Sequence, residues 1–205
     1  MNGYRTLASA ARAEIVVKKS VFITDAAPVG NEEEAGSFIE SVKKANKDAS
    51  HGVFAYRVGI GRIDEKYSDA GEPSGTAGLP ALSVMRKEGV TNAVVVVTRY
   101  FGGILLGAAG LVRAYQAACK AGIDAAGLAD RRLAQIFSVS VPYTHVGRIR
   151  RDESEGGYVI RGSSFAERAE FVVHVPFEDA DSFVGRMDDM TNGTARVEKK
   201  ESVYV

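Results

Sequence analysis

The sequence predicts an α+β protein in two domains, and three observations carry that prediction. Four consecutive valines, Val94–Val97, sit in "TNAVVVVTRY" (91–100), an apolar run of strand length that a sheet buried on both faces requires. Beyond residue 131 the periodicity runs strand, helix, strand, strand, helix, strand, which is complete in itself. Between the two lies "GLADRR" (127–132), a polar break that places the domains at 1–128 and 132–205.

In the first domain, "EIVVKKSVFITDAAPV" (14–29) reads as one bent strand or two paired ones. "NEEEAGSFIESVKKANKD" (31–48) is a helix: Asn31 and Glu34 stand in a capping-box relation, acidic residues fill the first turn and Lys43, Lys44 and Lys47 the last. "HGVFAYRVGIG" (51–61) is a strand. "RIDEKYSDAGEPSGTAG" (62–78) is too rich in Gly, Ser and Asp for a regular element. "LPALSVMRKEG" makes a short helix with Pro80 in its first turn, residues 91–100 the buried strand, and residues 107–126 a long helix.

In the second domain, "RRLAQIFSVSVPY" (131–143) alternates Ile136, Val139 and Val141 with polar residues and reads as a strand. "THVGRIRRDESEGG" (144–157) is a helix with Thr144 as its cap. "YVIRGSSF" and "RAEFVVHVP" are strands joined by a short turn. "FEDADSFVGRMDDMTNG" (177–193) sets Phe183, Val184, Met187 and Met190 at helical spacing and stops at Asn192-Gly193; "TARVEKKESVYV" is a last strand. The order is ferredoxin-like.

Composition excludes several classes. With 45% apolar and 25% charged residues the chain has the make-up of a globular protein. No apolar run approaches the ~18 residues of a membrane span, and "MNGYRTLASAARAEIVVKKS" lacks the apolar stretch of a signal peptide. Cys119 has no cysteine partner within the chain and shares a helical face with Leu111, Val112, Tyr115 and Ile123, a core position. A cytoplasmic protein is the expectation. Basic and acidic residues balance at 26 each, and at 15 to 14 and 11 to 12 on either side of residue 130, so neither half has a net positive field for nucleic acid. His51, His145 and His174 show no ligand spacing, so no metal is expected.

Two stretches stand out, each joining a strand to a helix. "SDAGEPSGTAG" (68–78) concentrates Ser68, Asp69, Glu72, Ser74 and Thr76; "TRYFGGILLG" (98–107) carries Arg99, Tyr100, Gly102 and Gly103. Gly102 to Gly107 spans G-x-x-x-x-G, but Ala108-Ala109 follow where a phosphate loop needs Lys and Ser or Thr, which disfavours a nucleotide hydrolase. Two readings of the glycines stand open: an anion site at a helix N-terminus, or close packing and positive φ. Asp69 and Glu72 are read either as an acid–base pair or as groups that cap a helix and order the loop. Arg99 emerges at the carboxyl end of a central strand, either as a fork for an anion or as the structural partner of Asp69 or Glu72. The expectation is that the two loops meet across a glycine-lined cleft, with Tyr100 and Phe101 on opposite faces of the strand. The ligand-binding set is then Ser68, Asp69, Glu72, Ser74, Thr76, Arg99, Tyr100, Gly102 and Gly103, with no catalytic residue and no cofactor assigned.

These two stretches, with "KKSVFIT" and "HGVFAYRVG", resemble the signature of the IMPACT family across most of residues 14–126, departing at Ala70, where an acidic residue is usual, at Ala109, where glycine is, and at His51-Gly52-Val53, where His-Asn-Cys is. The resemblance implies an N-terminal domain like the second domain of a small-subunit ribosomal protein, with a left-handed βαβ crossover. It also implies a C-terminal ferredoxin-like domain similar to one in the translocation elongation factor. Eukaryotic relatives restrain a starvation-responsive kinase by competing for its activator. For this chain the resemblance implies a non-catalytic binding protein linked to translation through RNA, the ribosome or a translation factor. Two alternatives stand beside it: a protein–protein regulator, and an enzyme on a small anionic substrate using Asp69 or Glu72 with Arg99.

Overall fold

Lys18 and Lys19 turn the chain back on itself at φ 46° and 68°, and the ambiguous segment at 14–29 resolves into a hairpin. In a computed structural model that describes residues 3–205, a strand β1 (Gly3–Leu7), which the sequence pattern did not reveal, precedes this hairpin of β2 (Ala11–Val17) and β3 (Ser20–Pro28). α1 (Glu32–Ala45) follows, capped by Asn31 Oδ1, which accepts the Glu34 N–H at 2.9 Å, while Glu34 Oε2 reaches back to the Gly30 N–H. Next come β4 (His51–Val58), β5 (Asp64–Ser68), α2 (Gly78–Lys87), β6 (Ala93–Tyr100) and α3 (Ala108–Ala126). β7 (Leu128–Val141) starts within the first of the two compact units into which the chain divides, Gly3–Asp130 and Arg131–Val205. The second unit continues with α4 (Val146–Asp152), β8 (Val159–Phe165), β9 (Ala169–Pro176), α5 (Ala180–Thr191) and β10 (Arg196–Tyr204).

β5 corrects the expectation that residues 62–78 hold no regular element. It is an edge strand, paired from Val58↔Asp64 to Phe54↔Ser68. Its hydrogen bonds come from the open side of β4, so its polar, solvent-facing composition is no obstacle. In β7 the inward set is Phe137, Val139 and Val141, with Ile136 only half-buried on the other face; strict period-two alternation selects Phe137. The helix expected over 144–157 is shorter: Thr144 lies in a 3-10 turn, Tyr143–His145, and no side chain caps α4. Val184, expected on the buried stripe of α5, is 43% exposed, while Phe183, Met187 and Met190 pack inward.

The first sheet has the order β2-β3-β6-β4-β5 with every pairing antiparallel. β3 and β4 therefore run parallel on either side of β6, joined through α1. β6 has residues on both faces fully buried, as its valines require. Val95 and Val97 share a core with Phe22, Val53, Leu82, Met85, Tyr115 and Ile123 under α2 and α3. Val94 and Val96 share another with Ile39, Val42 and Tyr56 under α1. Cys119 is buried in the first of these, where burial pushes its thiol up to about 12. In the second unit the order is β8-β9-β7 with β10 on the other side of β7, all antiparallel, which is the ferredoxin-like arrangement. Its helices cover one face, burying Phe137, Phe171, Ile149, Phe183 and Met187 together.

Candidate functional site

Strand register builds the site. Arg99 is opposite Phe22 of β3 and His51 of β4, so one row of side chains crosses the end of the sheet on the face that α3 covers. Burying a guanidinium there demands a counter-charge and hydrogen bonds. Glu72 supplies them: Arg99 Nη1 donates to Glu72 Oε1 at 2.7 Å, and both residues are buried, at 5% and 8% exposure. Tyr115 Oη, from α3, donates to the same oxygen at 2.7 Å; its phenol is pushed far up, by desolvation first and the Glu72 carboxylate second. Tyr115 meets Phe22 edge-on at 5.2 Å, and the Arg99 guanidinium lies 5.5 Å from both the Phe22 and Phe101 rings.

His51 completes the group. Its Nδ1 lies 3.0 Å from the Ala70 carbonyl, which can only accept, so Nδ1 carries a proton; Nε2 lies 4.0 Å from Glu72 Oε1. His51, Gly71, Glu72, Pro73, Arg99, Phe101 and the segment Leu105–Ala108 with Leu111 line a cleft of about 450 Å³.

Asp69 is not in it. Its carboxylate turns back into its own loop and accepts the N–H groups of Gly75, Ala77 and Gly78 at 2.8, 3.0 and 2.8 Å. It thus orders the loop and caps α2, whose start has no capping side chain of its own. Replacing Asp69 with Ala is expected to cost about 2 kcal/mol, for the loss of charge-assisted bonds at a helix start. Asp69→Asn retains an acceptor oxygen and is expected to cost less. Urea denaturation gives both values, and loss of hydrogen-exchange protection confined to Gly75, Ala77 and Gly78 locates the effect.

The other expected residues divide between loop-ordering and packing positions. Ser68 Oγ accepts the Ala70 N–H and Thr76 Oγ1 donates to the Pro73 carbonyl, both closing turns. Ser74 is exposed. Tyr100 projects on the opposite face from Arg99, with its hydroxyl 3.4 Å from Asn46 and Asp48. Gly102 presses on the backbone of Lys19–Ser20 and donates its N–H to Ser20 Oγ; Gly103 takes φ 81°. Of the nine expected residues, the cleft brings together Glu72 and Arg99. Sequence reading missed His51, Tyr115 and the leucines of the apolar wall, Leu105 and Leu106; of Tyr100 and Phe101, set on opposite faces, it is Phe101 that borders the cleft. Only the β4–β6 register, which sets His51 opposite Arg99, could have flagged the histidine. Among the described residues no group of three or more His, Cys, Asp or Glu could hold a metal ion, and no helix is long and apolar enough to cross a membrane.

Comparison with known proteins places this geometry in a family. Residues 18–123 match the Impact N-terminal domain, and residues 139–194 match a domain of unknown function, DUF1949. The chain is 37% identical over 205 residues to the IMPACT family member YvyE of Bacillus subtilis, covering all of this chain and 94% of that one. It is 34% identical to an IMPACT family member encoded in the pol 5' region of Thermus thermophilus, across 89% and 99% of the two chains. A crystal structure described as that of a hypothetical protein superposes with a TM-score of 0.64 at 28% identity, covering 98% of each chain. Both stretches that build the cleft fall inside the first matched domain, and the chain belongs to the IMPACT family.

Proposed function

We propose that this protein is a non-catalytic binding protein that acts in translation or its regulation, and that it engages a protein partner, a translation factor or a ribosomal protein, with the loop beside the cleft. The observation that carries this reading is the exposure of that loop: Phe101, Ile104 and Leu105 are 49%, 41% and 83% exposed. Large apolar side chains grouped on one short loop mark an interaction surface. The link to translation comes from what membership of the family implies. The balanced charge of both halves supports a protein partner over RNA, because phosphate binding needs a surplus of Lys and Arg. The enzyme reading has less support, since the Asp69 carboxylate is engaged by three backbone N–H groups and Glu72 by Arg99 and Tyr115.

The test is capture from lysate by the purified full chain, with and without nuclease, followed by binding of purified ribosomes and translation factors over a salt series. Binding is expected to survive nuclease, to change little with salt, and to weaken about tenfold or more in Leu105→Asp. Leu105 is so exposed that stability should shift by no more than about 0.5 kcal/mol. Nuclease-sensitive binding, with a log–log salt slope of about −0.7 per contacted phosphate on single strands, assigns the surface to RNA instead. If no component of the translation machinery binds at low salt, the translation reading fails.

A further inference from the structure

In the second unit β8 pairs with β9 alone and so forms an edge of its sheet. Between β8 and the end of α4 lies a pocket of about 490 Å³, lined by Arg150 and Glu153 on one side and by Ile160, Arg161, Gly162 and Ser163 on the other. Glu153 is spent within the fold: its Oε1 accepts the Ile160 N–H at 2.7 Å and covers that part of the strand edge. The two arginines have no such use. Among the described residues neither guanidinium donates a hydrogen bond or joins an ion pair, and both residues are exposed. Arg161 owes its place to a bulge: Ile160 pairs with Val173 and Gly162 with Val172, which leaves Arg161 as the extra residue, out of the alternation of the strand. Two cations against one carboxylate leave the pocket with a positive surplus.

A second feature adjoins the pocket. Phe165, two residues beyond Ser163, and Tyr143 are 50% and 52% exposed, with ring centroids 6.2 Å apart and planes inclined by only 28°. Both rings are held in place. The Tyr143 hydroxyl donates to the Ala166 carbonyl at 2.7 Å, and Phe165 meets the buried Phe171 edge-on at 6.3 Å. Arg150 joins the two features, since it lines the pocket and its guanidinium lies 5.9 Å from the Phe165 ring centroid. Unpaired guanidinium forks suit the oxygens of a phosphate. Fixed, exposed rings suit a flat aromatic partner, and two of them side by side present more surface than one benzene ring covers. A carboxylate alone would leave the rings unused, and an uncharged aromatic would leave the arginines unpaired.

We propose that this pocket and its aromatic neighbours bind a nucleotide, the phosphate on Arg150 and Arg161 with the Ser163 hydroxyl as a further donor, and the base against Tyr143 and Phe165. A free nucleoside monophosphate and one unit of a single-stranded RNA share this chemistry. One phosphate needs only a local pair of guanidiniums, so the balanced charge of the second half is no obstacle. The inference does not rest on the translation reading, whose loop belongs to the first unit, and its experiment contains only purified chain and small probes.

Amide spectra of the isotope-labelled full chain are recorded while adenosine 5'-monophosphate, adenosine, ribose 5-phosphate and a single-stranded adenylate hexamer are titrated in turn. The monophosphate is expected to shift the Gly162, Ser163 and Phe165 amides. Adenosine and ribose 5-phosphate, each lacking one half of the contacts, should bind about tenfold more weakly or worse. Tighter binding of the hexamer identifies RNA as the source, and equal or tighter binding of the monophosphate a free nucleotide; either supports the proposal. Arg161→Gln breaks no internal bond and is expected to weaken the monophosphate about tenfold at an unchanged melting temperature. Arg151→Gln removes an exposed charge outside the pocket and should change affinity by less than about twofold. Phe165→Leu keeps apolar bulk but loses the flat ring, so it should weaken the monophosphate about fivefold and leave ribose 5-phosphate unchanged, a split that a merely structural role would not give. Adenosine or ribose 5-phosphate binding as tightly as the monophosphate overturns the proposal. So does an absence of shifts over Gly162–Phe165 with both the monophosphate and the hexamer, or an equal loss in Arg151→Gln and Arg161→Gln. The comparison of the monophosphate with its two fragments needs no variant, so it decides the matter even if Phe165→Leu does not fold.

Discussion

Replacing Arg99 with Ala is expected to lower the stability of the first unit by about 3 kcal/mol, which for a unit of this size means a fall in Tm of about 10 °C. The substitution leaves the Glu72 carboxylate in a site 8% exposed, with only the Tyr115 hydroxyl at 2.7 Å and His51 at 4.0 Å to hold it. Removing one member of a buried ion pair costs more than the pair itself contributes, because the survivor must bear its own desolvation. That argument has a second consequence. Glu72→Ala on the Arg99→Ala background should cost less than the sum of the two single changes, by about 1–3 kcal/mol, as expected for groups in direct contact. Arg99→Lys keeps the charge but not the planar fork, and should fall between wild type and Ala. Guanidinium denaturation of the four chains closes the cycle. Additive losses, or an Arg99→Ala chain as stable as wild type, would mean that the ion pair does not hold the two loops together.

Gly102→Ala is the other large effect, expected at about 3 kcal/mol from steric overlap. A Cβ at Gly102 would stand 2.0 Å from the Lys19 carbonyl carbon, 2.1 Å from its oxygen and 2.4 Å from the Ser20 nitrogen. All three are backbone atoms of the β2–β3 hairpin, so no side chain can swing aside, and the hairpin or the 101–107 loop must move. The same displacement strains the Ser20 Oγ contacts with the Gly102 N–H at 3.2 Å and Arg99 Nη2 at 3.4 Å. Gly103 is the matched control: at φ 81° with nothing within 4 Å of its would-be Cβ, an alanine there bears only the left-handed backbone cost, about 1–2 kcal/mol. Melting curves of the two variants separate steric from conformational need. Equal losses at the two positions would refute the packing account of Gly102.

Much of the fold was legible because it depends on local periodicity. The capping relation of Asn31 and Glu34 marks the start of α1, the four valines mark a strand buried on both faces, and Asn192 in left-handed conformation ends α5. β1 and β5 were not legible, since their strand conformation comes from partners elsewhere in the chain rather than from their own composition.

The site divides along the same line. The sequence alone determined that an arginine leaves a buried strand beside a glycine-rich turn, and that a carboxylate-bearing loop precedes the next helix; burial of a charge makes a counter-ion obligatory, so a pairing of these loops follows from residue types. Which carboxylate answers Arg99 was settled only in three dimensions. Asp69 lies within reach of the Gly75, Ala77 and Gly78 amides and is consumed in its own turn, leaving Glu72 to meet the guanidinium. His51 enters because antiparallel register, which no local pattern encodes, sets the first residue of β4 opposite Arg99 on a shared face. Tyr115 enters because α3 lies across that face, and a distance of 43 residues along the chain becomes 2.7 Å between oxygens.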